Sequence, residues 1–151
     1  LNSEGLVLMT NDGQLTQQLT HPRYGHKKTY KVDLGGDISD DKLNSWRSGG
    51  IILPDGFRTA PCSIKVLQRS RRGTTLRIIM REGHKRQIRE TAEVLGHRVN
   101  RLVRTHIGPL ELGSIRPGQY RELSKNEVEA LKSSLKKQQS LNKKNRRNKR
   151  K

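Results

Sequence analysis

The chain has 151 residues, with 32 Lys and Arg against 14 Asp and Glu, a formal charge of +18, and only 30% hydrophobic and 3% aromatic residues. This length supports one domain with a core of its own, and no apolar run approaches the roughly 18 residues that a membrane-spanning helix needs. The single cysteine, Cys62, excludes an internal disulfide and a multi-thiolate zinc site, and a reducing compartment is expected.

In chain order, Gly5 to Thr10 is a short apolar run closed by Asn11-Asp12-Gly13, the composition of a buried strand entering a tight turn. Leu15 and Leu19 repeat at helical spacing. Thr29 to Leu34 alternates Tyr30, Val32 and Leu34 with polar residues, so a half-buried strand is expected with Tyr30 and Val32 on one face. Ser39-Asp40-Asp41 is a helix N-terminus ahead of Leu43 and Trp46, and Gly49-Gly50 closes that helix. Ile64 to Leu67 and Thr74 to Met80 flank Arg69-Ser70-Arg71-Arg72-Gly73, which reads as a hairpin with a basic tip. Glu82-Gly83-His84 breaks the second strand; Ile88, Ala92 and Leu95 then share a helical stripe ended by Gly96. Val99 to Ile107 is again extended, and Ser124-Lys125-Asn126-Glu127 is a capping box opening a last helix through Val128, Leu131 and Leu135. Interspersed strands and short helices without an internal repeat predict an α+β domain on a mixed, mostly antiparallel sheet flanked by helices.

The last sixteen residues carry nine cations and no acid, with Leu141 their one large apolar side chain. Such a segment buries too little to offset the entropy of ordering, so residues 136–151 are expected to form a disordered basic tail after a domain at 1–135. That domain still holds +9. The total is well beyond the magnitude of about 2 to 8 that solubility asks of a small domain, and a basic body with a basic tail is the footprint of a nucleic-acid binder. An anionic membrane is a poorer match, since the tail has neither an apolar face nor a lipidation site.

None of the five histidines (His21, His26, His84, His97, His106) has metal-ligand spacing, and no Gly-rich loop is followed by Lys-Ser or Lys-Thr, so neither a metal site nor nucleotide hydrolysis is indicated. Glu82-Gly83-His84-Lys85-Arg86-Gln87-Ile88-Arg89 is less ordinary. It sets His84, Lys85, Arg86 and Arg89 at a strand-to-helix junction, where side-chain charge and unpaired helix amides together suit a phosphate or carboxylate. Arg86 and Arg89, three apart, lie on one helix face. Taken alone, the segment also fits an exposed basic helix start, and Tyr30 a core aromatic.

Three segments in this order resemble the RsuA/RluB-type pseudouridine synthases, which isomerise specific uridines of ribosomal RNA. Ser3-Glu4-Gly5-Leu6-Val7-Leu8-Met9-Thr10-Asn11-Asp12-Gly13 is similar to the family's first motif, and His21-Pro22-Arg23-Tyr24 with Lys28-Thr29-Tyr30-Lys31-Val32 to its second. Glu82 to Arg89, continued by Gly96-His97 and by Leu102 to Leu110, is similar to its third. The resemblance covers residues 1–132. It implies a mixed central sheet with a cleft that receives a flipped uridine, and no metal or organic cofactor. It also implies an aspartate nucleophile, which forms a covalent adduct while the glycosidic bond breaks and the uracil turns to rejoin through carbon.

In the family that aspartate closes a Gly-Arg-Leu-Asp sequence three residues before the Ser of the first motif, a position just ahead of Leu1. The expectation is therefore a fragment lacking its own nucleophile and inactive alone, rather than a natural non-catalytic homologue. Asp12, a turn residue, and Asp33, a strand residue, do not inherit the role.

The resemblance implies that Arg89 pairs with the nucleophilic carboxylate and keeps it ionised. It implies that Tyr30 stacks on the extruded uracil and takes part in proton transfer, that Lys85, Arg86 and Arg104 hold phosphates, and that Gln87 and Ile88 shape the pocket. Glu90-Thr91 departs from the family's Arg followed by an apolar residue, so the third-motif helix is less basic than usual. The implied partner is ribosomal RNA or a pre-ribosomal particle, large-subunit RNA being favoured, met by a monomer in the bacterial cytoplasm or an organelle. The competing class is a basic RNA-binding or ribosome-associated module without chemistry.

Overall fold

A computed structural model describes residues 3–148. Strands β1 (Ser3–Gly5), β2 (Lys28–Gly35), β3 (Ser63–Ser70), β4 (Gly73–Met80), β5 (Val99–Ile107) and β6 (Leu110–Glu111) form one six-stranded sheet in the order β1-β5-β2-β4-β3, with β6 folded back on the end of β5. β1 runs parallel to β5 and the other pairings are antiparallel, so the expected mixed sheet is the one observed. Helices α1 (Gly13–Thr20), α2 (Asp40–Ser48), α3 (Gln87–Val94) and α4 (Lys125–Asn148) flank it.

The alternation along β2 buries Val32 and Leu34 completely, and their cross-strand neighbours Leu76 and Thr74 join them, as does Ile78 across from Tyr30. On this face the core is closed by Leu43 and Trp46 of α2 and by Ile88 and Ala92 of α3. Each of the Val, Leu and Ile side chains so removed from water contributes about 1.5–3 kcal/mol. α2 begins where Ser39 accepts a hydrogen bond from the Lys42 amide, with Asp40 and Asp41 at the positive end of its dipole. A second, smaller core joins Leu19 of α1, Ile107 and Leu110 of the β5–β6 turn, and Leu131 and Leu135 of α4.

Two expectations differ from what is observed. Gly5 to Thr10 is not a buried strand: pairing stops at Gly5, after which Leu6 and Leu8 lean on the second core while Val7 and Met9 stand 70% and 86% exposed. An apolar run alone does not specify a strand without a neighbour to complete its ladder, and among the described residues β1 pairs on one side only. The last helix, expected through Leu135, also continues as backbone through Asn148; 149–151 lie outside the described residues. Lys, Gln and Arg are good helix formers and no Gly or Pro interrupts them. The last buried residue described on the helix is Leu135, so beyond it the helix has chiefly this local propensity to hold it.

The start of α4 is a reciprocal capping box: the Glu127 amide donates to Ser124 Oγ (3.2 Å), and the Ser124 amide donates to the Glu127 carboxylate (2.8 Å). Arg121 clamps the same carboxylate and, with the Ser124 amide, holds its pKa down to about 2. A carboxyl depressed on folding contributes stability above its ordinary pKa and loses it as pH falls through the folded value. Thermal unfolding of the wild-type chain should therefore lose stability from pH 4.5 toward about 2, and Glu127→Gln should remove that part of the pH dependence.

Candidate active site: a cationic cleft beside the third motif

β5 carries the site's main irregularity. Thr29 pairs with His106, but Tyr30 pairs with Arg104, so Thr105 is an extra residue in β5. Its hydroxyl donates to the Thr29 carbonyl (3.3 Å). This bulge sets Arg104 directly across from Tyr30, with both side chains on the same face of the sheet. Arg104 Nε in turn donates to the Leu6 carbonyl at 2.7 Å, tying the stretch after β1 to the wall of the site.

β1 approaches β5 closely. At Gly5 (φ +112°) a Cβ would lie 2.4 Å from the Arg104 carbonyl oxygen, so only glycine fits this position of the first motif.

A cavity of about 400 Å³ opens over this face, lined by Tyr30, Leu102 and Arg104 from the sheet, Glu4, Gly5 and Val7 from the first motif, Met80 at the end of β4, and Gly83, His84, Arg86, Gln87, Ile88 and Arg89 from the third motif. A larger groove of about 1000 Å³ between residues 6–10, residues 110–123 and α4 is mostly aliphatic; Arg104, Arg89 and Tyr30 do not line it. The smaller cavity is the better candidate, because there the polar side chains converge on a ring and a helix terminus.

The turn into α3 shapes the far wall. Arg86 adopts the left-handed conformation (φ +55°) at the helix N-terminus, and no side chain caps the first amides. That leaves the positive end of α3 at the cavity. Gln87 is buried and donates to Glu82, whose carboxylate also accepts from the Ala60 amide (2.8 Å). Glu82 thus latches the turn to the 50–62 segment. Burial, followed by the Glu82 charge, pushes the nearby Cys62 thiol up to about 11, well away from a reactive thiolate.

The residues singled out from the sequence are distributed as follows. Tyr30, Arg89, Arg104, Gln87, Ile88 and Arg86 all line the cavity; Lys85 is exposed and does not. Arg89 Nη1 donates to the Val99 carbonyl at 3.0 Å, which holds one side of its guanidinium. Arg86 is turned toward its own helix, 3.7 Å from Glu90 and 4.0 Å from Glu93, so the departure at Glu90 offsets charge where the motif would concentrate it. Asp12 caps α1, accepting from the Leu15 amide at 3.0 Å, and Asp33 accepts from Thr75 at 2.8 Å on the face away from the cavity. Glu4 is the one carboxylate among the described lining residues, and it is paired with Arg101 at 3.1 Å.

Two groups of site residues were not singled out from the sequence. The Pro54-Asp55-Gly56 turn carries Phe57 onto the His84 ring, stacked at 4.0 Å and 5°, while Asp55 meets His84 Nε2 at 2.5 Å. Pro-Asp-Gly signals a turn, but nothing in the local pattern says which distant ring it will meet. The second is Lys28. Its ammonium lies against Gly83, and burial, then the Arg104 charge, lower its pKa. Lys28 in turn adds to the burial that lowers the pKa of His26. Arg104→Gln should raise the Lys28 pKa toward its ordinary value, readable by NMR titration of the lysine side chain; an unchanged value would mean that Arg104 is not the charge Lys28 feels.

Residues 1–93 match the family model described as RNA pseudouridylate synthase. An uncharacterized RNA pseudouridine synthase of Aquifex aeolicus is 38% identical over 130 residues, covering 86% of this chain and 51% of that protein. The ribosomal large subunit pseudouridine synthase B of Bacillus subtilis is 35% identical over 134 residues, covering 87% of this chain and 54% of its own length. The ribosomal small subunit pseudouridine synthase A of Yersinia pestis is 33% identical over 132 residues, with the same 87% and 54% coverage. A crystal structure of a pseudouridylate synthase superposes with a TM-score of 0.77 at 30% identity, over 84% of this chain and 54% of that one. The chain belongs to the RNA pseudouridine synthase family, as its motifs suggested, and spans about half the length of the curated relatives it matches.

Proposed function

We propose that this chain supplies the uridine-holding wall of a ribosomal-RNA pseudouridine synthase. The observation that carries the reading is the convergence of Tyr30, Arg89 and Arg104 with the uncapped end of α3 on one cavity, in a chain of this family. In this reading RNA delivers an unstacked uridine to the cavity. The reaction breaks the N1–C1′ bond and forms C5–C1′, with the C5 proton removed and N1 left protonated.

Tyr30 offers a flat ring for the uracil and a hydroxyl for the proton step. Arg89 and the α3 amides favour an ionised carboxylate, which is what a nucleophile must be. In this reading that carboxylate is the aspartate of a Gly-Arg-Leu-Asp sequence, as the resemblance implies. Arg104, Arg86 and Lys85 meet phosphates on either side of the target. No cofactor is required. Relatives named for each ribosomal subunit lie at similar identity, so the proposal covers ribosomal RNA and leaves the subunit to experiment. Among the described residues no helix is long and apolar enough to cross a membrane.

The test is pseudouridine formation on unmodified large- and small-subunit rRNA by a longer protein that includes the expected aspartate. Arg89→Ala in that protein should lower turnover by roughly 100-fold or more, with RNA affinity changed far less. RNA binding without turnover in every longer form would leave the non-catalytic RNA-binding module as the better description.

A further inference from the structure

The sheet has a second face, away from the cavity, and its charges are arranged in a way the fold does not need. Lys31 of β2 lies directly opposite Arg77 of β4, which lies directly opposite Lys65 of β3. All three are exposed, while their neighbours Val32, Leu76 and Ile64 point into the core on the other side. Adjacent strands are about 4.8 Å apart, so three cations form a row roughly 10 Å long across the sheet. Among the described residues no carboxylate lies within ion-pair distance of any of them. The acid nearest in register, Asp33, is engaged by Thr75 and lies across from Arg101, which also pairs with Glu4.

Like charges directly opposite each other destabilise a sheet. A lysine on the edge strand β3 serves to block edge-to-edge pairing, but β2 and β4 are interior strands, so edge protection does not explain Lys31 or Arg77. A solvated sheet face normally intersperses both signs. An unbalanced row held at a cost to folding is accounted for by an anionic partner with closely spaced, repeating charge.

We propose that the row Lys31–Arg77–Lys65 is a second RNA-binding surface that grips the phosphate backbone of an RNA arm other than the one entering the cavity. The partner is RNA rather than an acidic protein because the row offers three charges in line and no large apolar anchor between them. A backbone of repeating phosphates meets such a row without base readout. Because the two surfaces lie on opposite faces of one sheet, a single straight helix does not touch both. The substrate is then a folded RNA with two arms, or one that wraps the edge at β3.

The choice of RNA as partner rests on the function proposed above, so binding and turnover are read separately. Binding of this chain to a long folded rRNA fragment is followed against salt for the wild type and for Lys31→Gln/Arg77→Gln/Lys65→Gln. Each phosphate that the protein no longer neutralises flattens the slope of log K on log salt by about 0.7–0.9, so the triple variant should lose about 2 to 3 from that slope. Its melting temperature should be unchanged or higher, because cross-strand repulsion is relieved. As a second reading on the unaltered chain, the rRNA fragment should protect Lys31 and Lys65 from acylation.

An unchanged slope in the folded variant overturns the proposal. So does the absence of RNA protection in the unaltered chain, or protection of both lysines in a longer protein without RNA, which would mean that another part of the polypeptide covers the face. Loss of turnover in every longer form, with the slope shift intact, would strike the enzymatic reading and support this surface.

Discussion

The arrangement of the site depends on one extra residue in one strand. With β5 in plain register, Tyr30 would face Thr105 and the arginine would point to the other side, because a one-residue slip reverses every side chain of a strand. The bulge at Thr105 brings Arg104 across from Tyr30, and Arg104 then reaches the Leu6 carbonyl. Gly5 lets β1 lie against the same part of β5. Two segments distant in sequence, residues 5–6 and β2, are thereby held together by β5, which is paired on both sides and so poorly placed to shift.

The charge of the chain is sorted rather than spread. Where cations serve folding they are matched locally: Arg69 with Asp37 and Asp40 near the tip of the hairpin, Arg121 with Glu127 at the start of α4, Arg101 with Glu4 beside β1. Such exposed pairs contribute little individually, about 0–1 kcal/mol. Their larger effect is on where positive potential remains. Lys28 and Arg104 stay close enough for one to lower the pKa of the other, a strain tolerated because their strand positions fix them. Clefts walled by one sign of charge concentrate ions of the other, and the lining of this one holds a single, already paired, acid among its described residues.

Strands and helices with a strong period were legible in the sequence: β2 from the Tyr30–Val32–Leu34 alternation, α2 from its cap and acidic first turn, α4 from its capping box. These signals are local, and so is the physics behind them. Gly5 to Thr10 misled because apolar content says that residues are buried somewhere, whereas a strand needs a partner that lies elsewhere in the chain. The direction of Arg86 was also out of reach, since it depends on a left-handed backbone turn and on Glu90 and Glu93 drawing the guanidinium back. The bulge at Thr105 leaves no mark on composition at all. It is a property of the pairing between β2 and β5.

The segment between α2 and β3 shows how parts outside the motifs bear on the site. Asp55 and Phe57 hold the His84 ring from its edge and its face, and Glu82 joins Ala60 to Gln87. His84 and Gln87 both line the cavity, so the third-motif turn is braced from outside along its length. Bracing of this kind matters because α3 begins without a side-chain cap and with a non-glycine residue in the left-handed region, a conformation that costs on the order of 1–3 kcal/mol and persists only where the surroundings over-determine it. The uncapped amides and the strained turn lie side by side at the cavity, and the 50–62 segment restrains both through Glu82 and the His84 ring.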